Sequence, residues 1–276
     1  MKFHRFVAAV AGFFMILPAP SLVAQTFLFQ SQAENRAKVG LRFLRPNFKG
    51  ESKLSIFSGA YDFWFNAPVG GSRVNIVGAV PFNAIAVEGR DGESGVGNIY
   101  AGVQARLGNS ADNDMNISLG VFLPTASEKK ESAHGLGVLA DTHELQRSLP
   151  DVLTIYGNFA YHYRQINRGM FGVEIGPQLF IPTGEFNGDA ELFGHYGLAG
   201  GFPIANVAFF AELLGLFIVT EEVGDFDDRF IHSLAFGAQL TMRQVRPGLF
   251  YVLPLDEDFN QSIDGILGLK VDFVLN

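Results

Sequence analysis

Residues able to do chemistry are scattered along this chain, and few sit at a spacing that a catalytic or metal site requires. His143-Glu144 opens like a zinc-protease helix, but position 147 is Arg147, so the second histidine ligand is missing. Gly95-Val96-Gly97 opens like a dinucleotide loop, but the sixth position is Tyr100 and no strand–helix–strand unit follows. A lipid-modifying enzyme of the outer membrane needs a serine and a histidine within hydrogen-bond reach. His232 and Ser233 are neighbours, so on a strand they point to opposite faces. Ser132 and His134 lie in a long link with no third group beside them. The acidic run Glu221, Glu222, Asp225, Asp227 and Asp228 suits a solvated loop, or a surface site for divalent cations. Asp256, Glu257 and Asp258 form a second such cluster. Without cysteine there is neither a disulfide nor a thiolate metal site. The expectation is a protein that is not an enzyme, with no catalytic residue, no cofactor and no resident metal.

What does recur is a polar side chain at every second position of strand-like segments. The set comprises Arg42, Asp62, Asn98, Gln104, Arg106, Asn158, His162, Arg164, Glu174, Gln178, Glu191, His195, Glu212, Gln239, Arg243, Lys270 and Asp272. Charges of both signs on one face are costly in a dry core unless paired, so this face predicts a water-filled or networked lumen. Arg42, Arg106, Arg164 and Arg243 against Asp62, Glu174, Glu191 and Glu212 are the residues expected to filter solutes by charge and hydrogen bonding. His162 and His195 suit satisfied hydrogen-bonding roles, or a pH-sensitive lumen, since histidine titrates at about pH 6.5.

The elements that must position this set are β-strands. Twelve candidates run over 38–43, 54–65, 73–81, 98–107, 115–123, 152–164, 171–181, 191–201, 206–217, 230–243, 248–253 and 263–275. In the fourth, Ile99, Ala101, Val103, Ala105 and Leu107 oppose Asn98, Tyr100, Gln104 and Arg106. Alternate residues of a strand face opposite ways, so one face is apolar and the other polar. The ninth is apolar on both faces apart from Glu212. Most segments reach the roughly 9–11 residues that span a bilayer when tilted. The links alternate as well. Even links, such as 67–72, 165–169, 202–205 and 244–247, are short, and odd ones, such as 82–97, 124–151 and 219–229, are mostly long. A soluble sandwich gives no reason for that parity, whereas an outer-membrane barrel alternates short periplasmic turns with longer outer loops.

Upstream, Lys2 and Arg5, an apolar stretch over 6–16 and a proline- and alanine-containing stretch over 17–24 follow the order of a secretory signal peptide. The apolar stretch is too short to span a membrane, which takes about 20 residues. The chain divides into a signal peptide over 1–24, cleaved after Ala24, an N-terminal extension over 25–37 and a barrel domain over 38–276. Glycine (32), phenylalanine (28) and a charged fraction of 17% suit a lipid-facing surface, because soluble domains carry about 25% charge. The net charge of −8 argues against a nucleic-acid partner.

Gly95-Val96-Gly97-Asn98, entering a strand that closes with Ala105-Arg106-Leu107, resembles the signature of the outer-membrane family named for the MetA pathway of phenol degradation. Leu123-Pro124-Thr125, Ile181-Pro182-Thr183-Gly184 and Asn158-Phe159-Ala160-Tyr161-His162-Tyr163-Arg164 are similar to further family motifs. Asn98 stands where the family has an acidic residue, Ala105 where it has an aromatic, and the chain ends in Leu275-Asn276 rather than an aromatic. The resemblance implies an outer-membrane channel or transporter for small molecules, hydrophobic compounds among them, and transfers no catalytic residue. Its partners would be outer-membrane lipid and lipopolysaccharide, the barrel-assembly machinery and an unidentified small solute.

The fold expected is all-β: a transmembrane antiparallel β-barrel of about 12 strands in the outer membrane. Eight strands leave a lumen filled by side chains and 16 to 18 leave an aqueous channel, so twelve predicts a narrow or partly occluded passage. Residues 133–149 predict a short helix in the fifth link, with Leu136, Val138, Leu139 and Leu145 as a loose apolar stripe. That helix could fold over the mouth or remain a mobile outer loop, and residues 25–37 could plug the lumen. Passive transport, a structural or surface-interaction barrel with a blocked lumen, and a lipid-modifying enzyme are the three function classes this pattern admits.

Overall fold

The computed structural model describes residues 28, 36–50, 53–70, 73–110, 112–165, 169–184, 188–220 and 229–275. The stretch expected to be a signal peptide, nearly all of the expected N-terminal extension and the acidic run of 221–228 lie outside these residues.

Thirteen strands form one antiparallel sheet: β1 (Lys38–Phe48), β2 (Gly59–Pro68), β3 (Val74–Ile85), β4 (Glu93–Val96), β5 (Tyr100–Asn109), β6 (Asn113–Phe122), β7 (Val152–Gln165), β8 (Gly169–Pro182), β9 (Glu191–Ile204), β10 (Val207–Ile218), β11 (Phe230–Leu240), β12 (Val245–Pro254) and β13 (Ile263–Val274). β4 and β5 both pair with β3, end to end, so they make one interrupted stave and the barrel has twelve. Pairing of β1 with β13, from Lys38↔Val274 to Phe48↔Ile263, closes it and leaves no free edge. No helix among the described residues is long and apolar enough to cross a membrane.

Period 2 decides which way each side chain points. Along β6, Asp114, Asn116 and Ser118 are buried while Ile117 and Leu119 are exposed; along β7, Asn158, Ala160 and His162 are buried while Ile155 and Phe159 are exposed. The barrel is therefore polar inside and apolar outside over much of its wall, the reverse of a soluble domain. One sector of the interior departs from this. Leu44, Phe210, Leu214, Phe250, Val252 and Ile266 face inward as an apolar cluster on β1, β10, β12 and β13. The sequence shows half of this sector in the doubly apolar β10.

The strands end where the chain turns. Five short links, over 69–73, 110–112, 166–168, 205–206 and 241–244, join staves at the end where β1 starts and β13 finishes. The longer links all lie at the other end, so the parity read from the sequence holds throughout. The longest, 123–151, carries a 3-10 turn (Glu128–Lys130), helix α1 (Glu131–Ala140) and a second 3-10 turn (Leu145–Arg147). α1 has poor intrinsic propensity, with Gly135 and Gly137 inside ten residues. Gly137 is needed because a Cβ there would lie 2.4 Å from both Asn83 Oδ1 and Ser148 Oγ. Packing, not propensity, holds this helix. It does not hang free: it packs on β1, β2, β3 and β4 towards the long-link end, and its buried residues include Ala133, His134 and Leu136.

Candidate functional site

The fifth link enters the lumen because both of its ends are clamped. Asn98, in the break between β4 and β5, is fully buried. Its Nδ2 donates to Gln146 O at 2.8 Å and to Leu149 O at 2.6 Å, and its backbone N–H donates to Arg147 O at 2.8 Å. Its Oδ1 accepts from Ala126 N–H at 2.9 Å. Thr125 Oγ1 donates to Gly97 O at 2.6 Å and accepts from Ile99 N–H at 3.0 Å. Gly97 permits this approach, because a Cβ would lie 2.3 Å from Arg147 O. At the far end, the Thr183 N–H and hydroxyl both donate to Asp151 O, at 2.8 and 2.9 Å. The Gly-Asn break and the two Pro-Thr stretches therefore hold the same link.

Between the clamps the link lays three charged side chains across the lumen. Arg42 Nη2 on β1 reaches Asp141 Oδ2 at 2.6 Å and Glu144 Oε2 at 2.8 Å. Arg147 reaches Glu144 Oε2 through Nε at 2.6 Å and Asp62 Oδ2 on β2 through Nη1 at 2.7 Å. His143 Nδ1 lies 3.3 Å from Asp141 Oδ1. Two guanidiniums thus face three carboxylates, all buried. Burial opposes the charge on Glu144, but Arg147 and Arg42 outweigh it and hold that carboxyl at about 2. Burial likewise works against the Arg147 cation, and Asp62 and Glu144 more than restore it. Burial depresses His143 against the pull of Asp141 and Glu144, and depresses His134 against that of Glu93. Ligand atoms of Asp141, His143 and Glu144 lie within 4.8 Å of one another, a spacing that could hold a cation. Arg42 and Arg147 already supply the positive charge there.

Elsewhere the link is tied to the wall by neutral bonds. Asn83 Nδ2 meets His134 Nδ1 at 3.1 Å and donates to Ser148 Oγ at 3.0 Å, and Thr142 Oγ1 lies 3.3 Å from Ser233 Oγ. Ser233 faces the lumen, whereas His232 lies on the opposite face against Tyr196, as adjacent strand positions require.

The other inward residues fall into separate groups. Arg106 pairs with Asp114 at 2.9 Å, and Arg164 approaches the same carboxylate at 3.8 Å, towards the short-link end. The Glu174 carboxylate accepts from Asn158 at 3.1 Å, within a chain that runs on to His195 and Tyr156. Gln104 accepts from Asn66 at 3.1 Å, and Lys270 Nζ lies 5.7 Å from the Trp64 ring centroid. His162 and Gln178 are buried, Glu212 sits in the apolar sector, and Glu191 is half-buried at the long-link end of β9. Arg243 is a correction: β11 ends at Leu240, so Arg243 is exposed in a short turn. The inward cation nearby is Arg246 on β12, which is buried.

Cavities remain around the link among the described residues, and two of them border Glu144. One, about 520 Å³ including space open to solvent, is lined by Arg42, Asp62, Trp64, Tyr100, Arg147 and Lys270 among others. The second, about 270 Å³, lies against β7–β10 beside Tyr156, Glu174, Gln178 and His195. Glu144 and Leu28 border both. Gln178 Oε1, His195 Nδ1 and His143 Nε2 are buried without a partner among the described residues, and such atoms are served by water or solute.

This is a closed twelve-stave antiparallel barrel of the outer-membrane type, carrying a charged constriction inside it. No family model matches the chain, and no curated protein does. Among solved structures, it is similar to an outer-membrane channel from Pseudomonas putida F1, at 10% identity and a TM-score of 0.60, over 94% of this chain and 100% of that one. It is also similar to the NanC porin, at 8% identity and a TM-score of 0.53, over 86% and 99%. At such identities the likeness is one of fold.

Proposed function

We propose that this barrel is a passive outer-membrane channel for small molecules, hydrophobic ones among them, and that the inward-folded fifth link sets what passes. The observation that carries this reading is the lattice of Arg42, Asp62, Asp141, Glu144 and Arg147 across the lumen, with cavities bordering it. A barrel that served only as a scaffold could fill its lumen with wall side chains alone. Here a link of the chain is clamped at both ends to place ionisable groups in the path, the arrangement that filters by charge and size. The motifs resembling the MetA-pathway family lie at those clamps, which supports an affiliation with those outer-membrane proteins. Contact with outer-membrane lipid and lipopolysaccharide follows from the apolar outer wall, and assembly would proceed through the barrel-assembly machinery.

The test is conductance in planar bilayers together with liposome swelling. A small conductance is expected in the intact protein, altered by Arg106→Ala and Glu174→Ala and raised by Arg147→Ala. Absence of conductance in all four proteins would favour a structural barrel with a blocked lumen. Lipid turnover lost on replacing a specific serine or histidine would favour an enzyme.

A further inference from the structure

Bare hydrogen-bond acceptors gather in the cavity against β7–β10. Strand register builds it. Tyr156 on β7 pairs with Gln178 on β8, and His195 on β9 pairs with Gly176, between Glu174 and Gln178 on the same inward face. Gly176 leaves room for the imidazole, because a Cβ there would lie 2.8 Å from His195 Cε1. Glu174 Oε2 accepts from Asn158 Nδ2 at 3.1 Å, which turns Asn158 Oδ1 towards His195 Nε2 at 3.2 Å. An amide oxygen only accepts, so the proton of the neutral imidazole sits on Nε2 and Nδ1 keeps a lone pair. His143 ends the same way. Its Nδ1 lies 3.3 Å from Asp141 Oδ1, which draws the proton to that nitrogen, and burial favours the neutral ring. Its Nε2 is then an acceptor, and Gln178 adds an amide oxygen. All three residues line the cavity, each is at least nine-tenths buried, and the three atoms have no partner among the described residues. Glu144 and Glu174 line it too, and Leu214 gives it an apolar side.

We propose that this cavity is a binding site for a small primary ammonium ion on a short apolar body. Three N–H donors on one cationic head equal the three bare acceptors in number, and Glu144 and Glu174 supply negative charge beside them. The short body lies on Leu214. A neutral alcohol brings one donor and no charge, so it serves one acceptor of the three. A quaternary ammonium brings charge without a donor, and an anion would meet lone pairs and carboxylates. A metal ion fits no better. Asp141, His143 and Glu144 come within metal-ligand spacing of one another among the described residues, and His195 is outside that group, so one ion does not serve both imidazoles. The site faces the lumen, so the ammonium belongs to a free solute and not to a lipid headgroup. As a solute class for the channel, this inference rests on the channel reading; the binding itself does not.

The test is isothermal titration calorimetry of propylammonium chloride into the full chain, purified in detergent micelles. Phosphate buffer holds it at about pH 8, where imidazole is neutral and an alkylamine, like lysine, stays charged. Propylammonium should bind, and tetramethylammonium and n-propanol should each bind at least about tenfold more weakly. Gln178→Met and His195→Phe should each weaken propylammonium binding about tenfold or more, the factor for losing one hydrogen bond to a charged group. Gln178→Met is close to isosteric, so it carries the test if His195→Phe does not assemble, and heat-modifiable mobility shows which variants are folded. Three results would each overturn the site: no heat of binding at millimolar propylammonium, equal binding of tetramethylammonium, or unchanged binding in the folded variants. Propylammonium binding with the expected losses, but without conductance in planar bilayers, would leave the site standing and overturn the channel reading instead.

Discussion

Replacing Asn98 with aspartate is a one-atom change with a large expected effect. Asn98 Nδ2 is the donor to Gln146 O and Leu149 O, and no water-exposed route serves either contact, because Asn98 is fully buried. Aspartate keeps the acceptor for Ala126 N–H but puts a carboxylate oxygen against two carbonyl oxygens. Leaving a buried polar group unsatisfied costs about 1–3 kcal/mol, so two such losses disfavour the docked link by about 2–6 kcal/mol. At about 1.4 kcal/mol per tenfold, the docked population relative to the released one falls roughly 30-fold to 20,000-fold. Trypsin reads this directly. Lys129 is exposed in the intact protein and should be cut there, whereas Arg147 is buried and should not be. In Asn98→Asp, cleavage after Arg147 should become fast, while heat-modifiable mobility of the barrel on gels is kept. Asn98→Ala should fall between the two proteins, since it removes the donors without adding a charge. Equal resistance at Arg147 in all three would refute the claim that Asn98 clamps the link.

Other perturbations follow from the same geometry. Glu144→Leu leaves Arg42 and Arg147 short of one buried carboxylate and should destabilise the docked link by about 3–5 kcal/mol, read as the same tryptic cut. Acid should loosen the link in two windows. His143 and His134 are held below the ordinary value of 6.5, so the stability they lend is complete above about pH 6.5 and is lost as pH falls below it. His143 then charges beside Arg42 and Arg147 as well as Asp141 and Glu144, and His134 beside Glu93. Glu144 is held at about 2 against an ordinary 4.5, so its contribution persists above pH 4.5 and is lost between there and about 2. Conductance should therefore rise on acidification from pH 7 to 5, and a His143→Asn, His134→Asn double variant should flatten that first rise. On the outer wall, Leu119→Arg places a cation at a 59% exposed lipid-facing position and should cost about 2–4 kcal/mol if that residue lies at the bilayer midplane. The measurement is the urea midpoint for refolding into lipid vesicles, and an unchanged midpoint would contradict the membrane-facing assignment.

Much of the barrel is legible in the sequence because a strand's period of 2 is a local signal. The twelve segments, their faces and the parity of their links all follow from neighbours a few residues apart. Boundaries drift where that signal weakens. β1 runs on to Phe48, past Pro46, because pairing with β13 continues there. Alternation read through 241–243 puts Arg243 on a strand that stops at Leu240. The constriction is legible only in outline. Asp141, Glu144 and Arg147 recur every three residues, yet their partners Arg42 and Asp62 lie far off, Arg42 and Asp141 being 99 residues apart. Nothing local shows that this spacing serves ion pairs to a distant wall rather than solvent. The Pro-Thr stretches stand out in the sequence, but their role depends on Thr125 meeting Gly97 and Thr183 meeting Asp151 in space. Leu28 carries still less local signal, since one apolar residue in the stretch before β1 has no periodicity to read.

The most direct measurement compares single-channel conductance in planar bilayers of the intact protein and of a variant in which residues 127–149 are replaced by a short Gly-Ser connection. Clamped across the lumen by Arg42, Asp62 and Asn98, the link should hold the intact protein to small, infrequent openings, and its removal should give larger and longer ones through the same folded barrel. Identical conductance in the two proteins, with both shown to be folded by heat-modifiable mobility, would contradict the account.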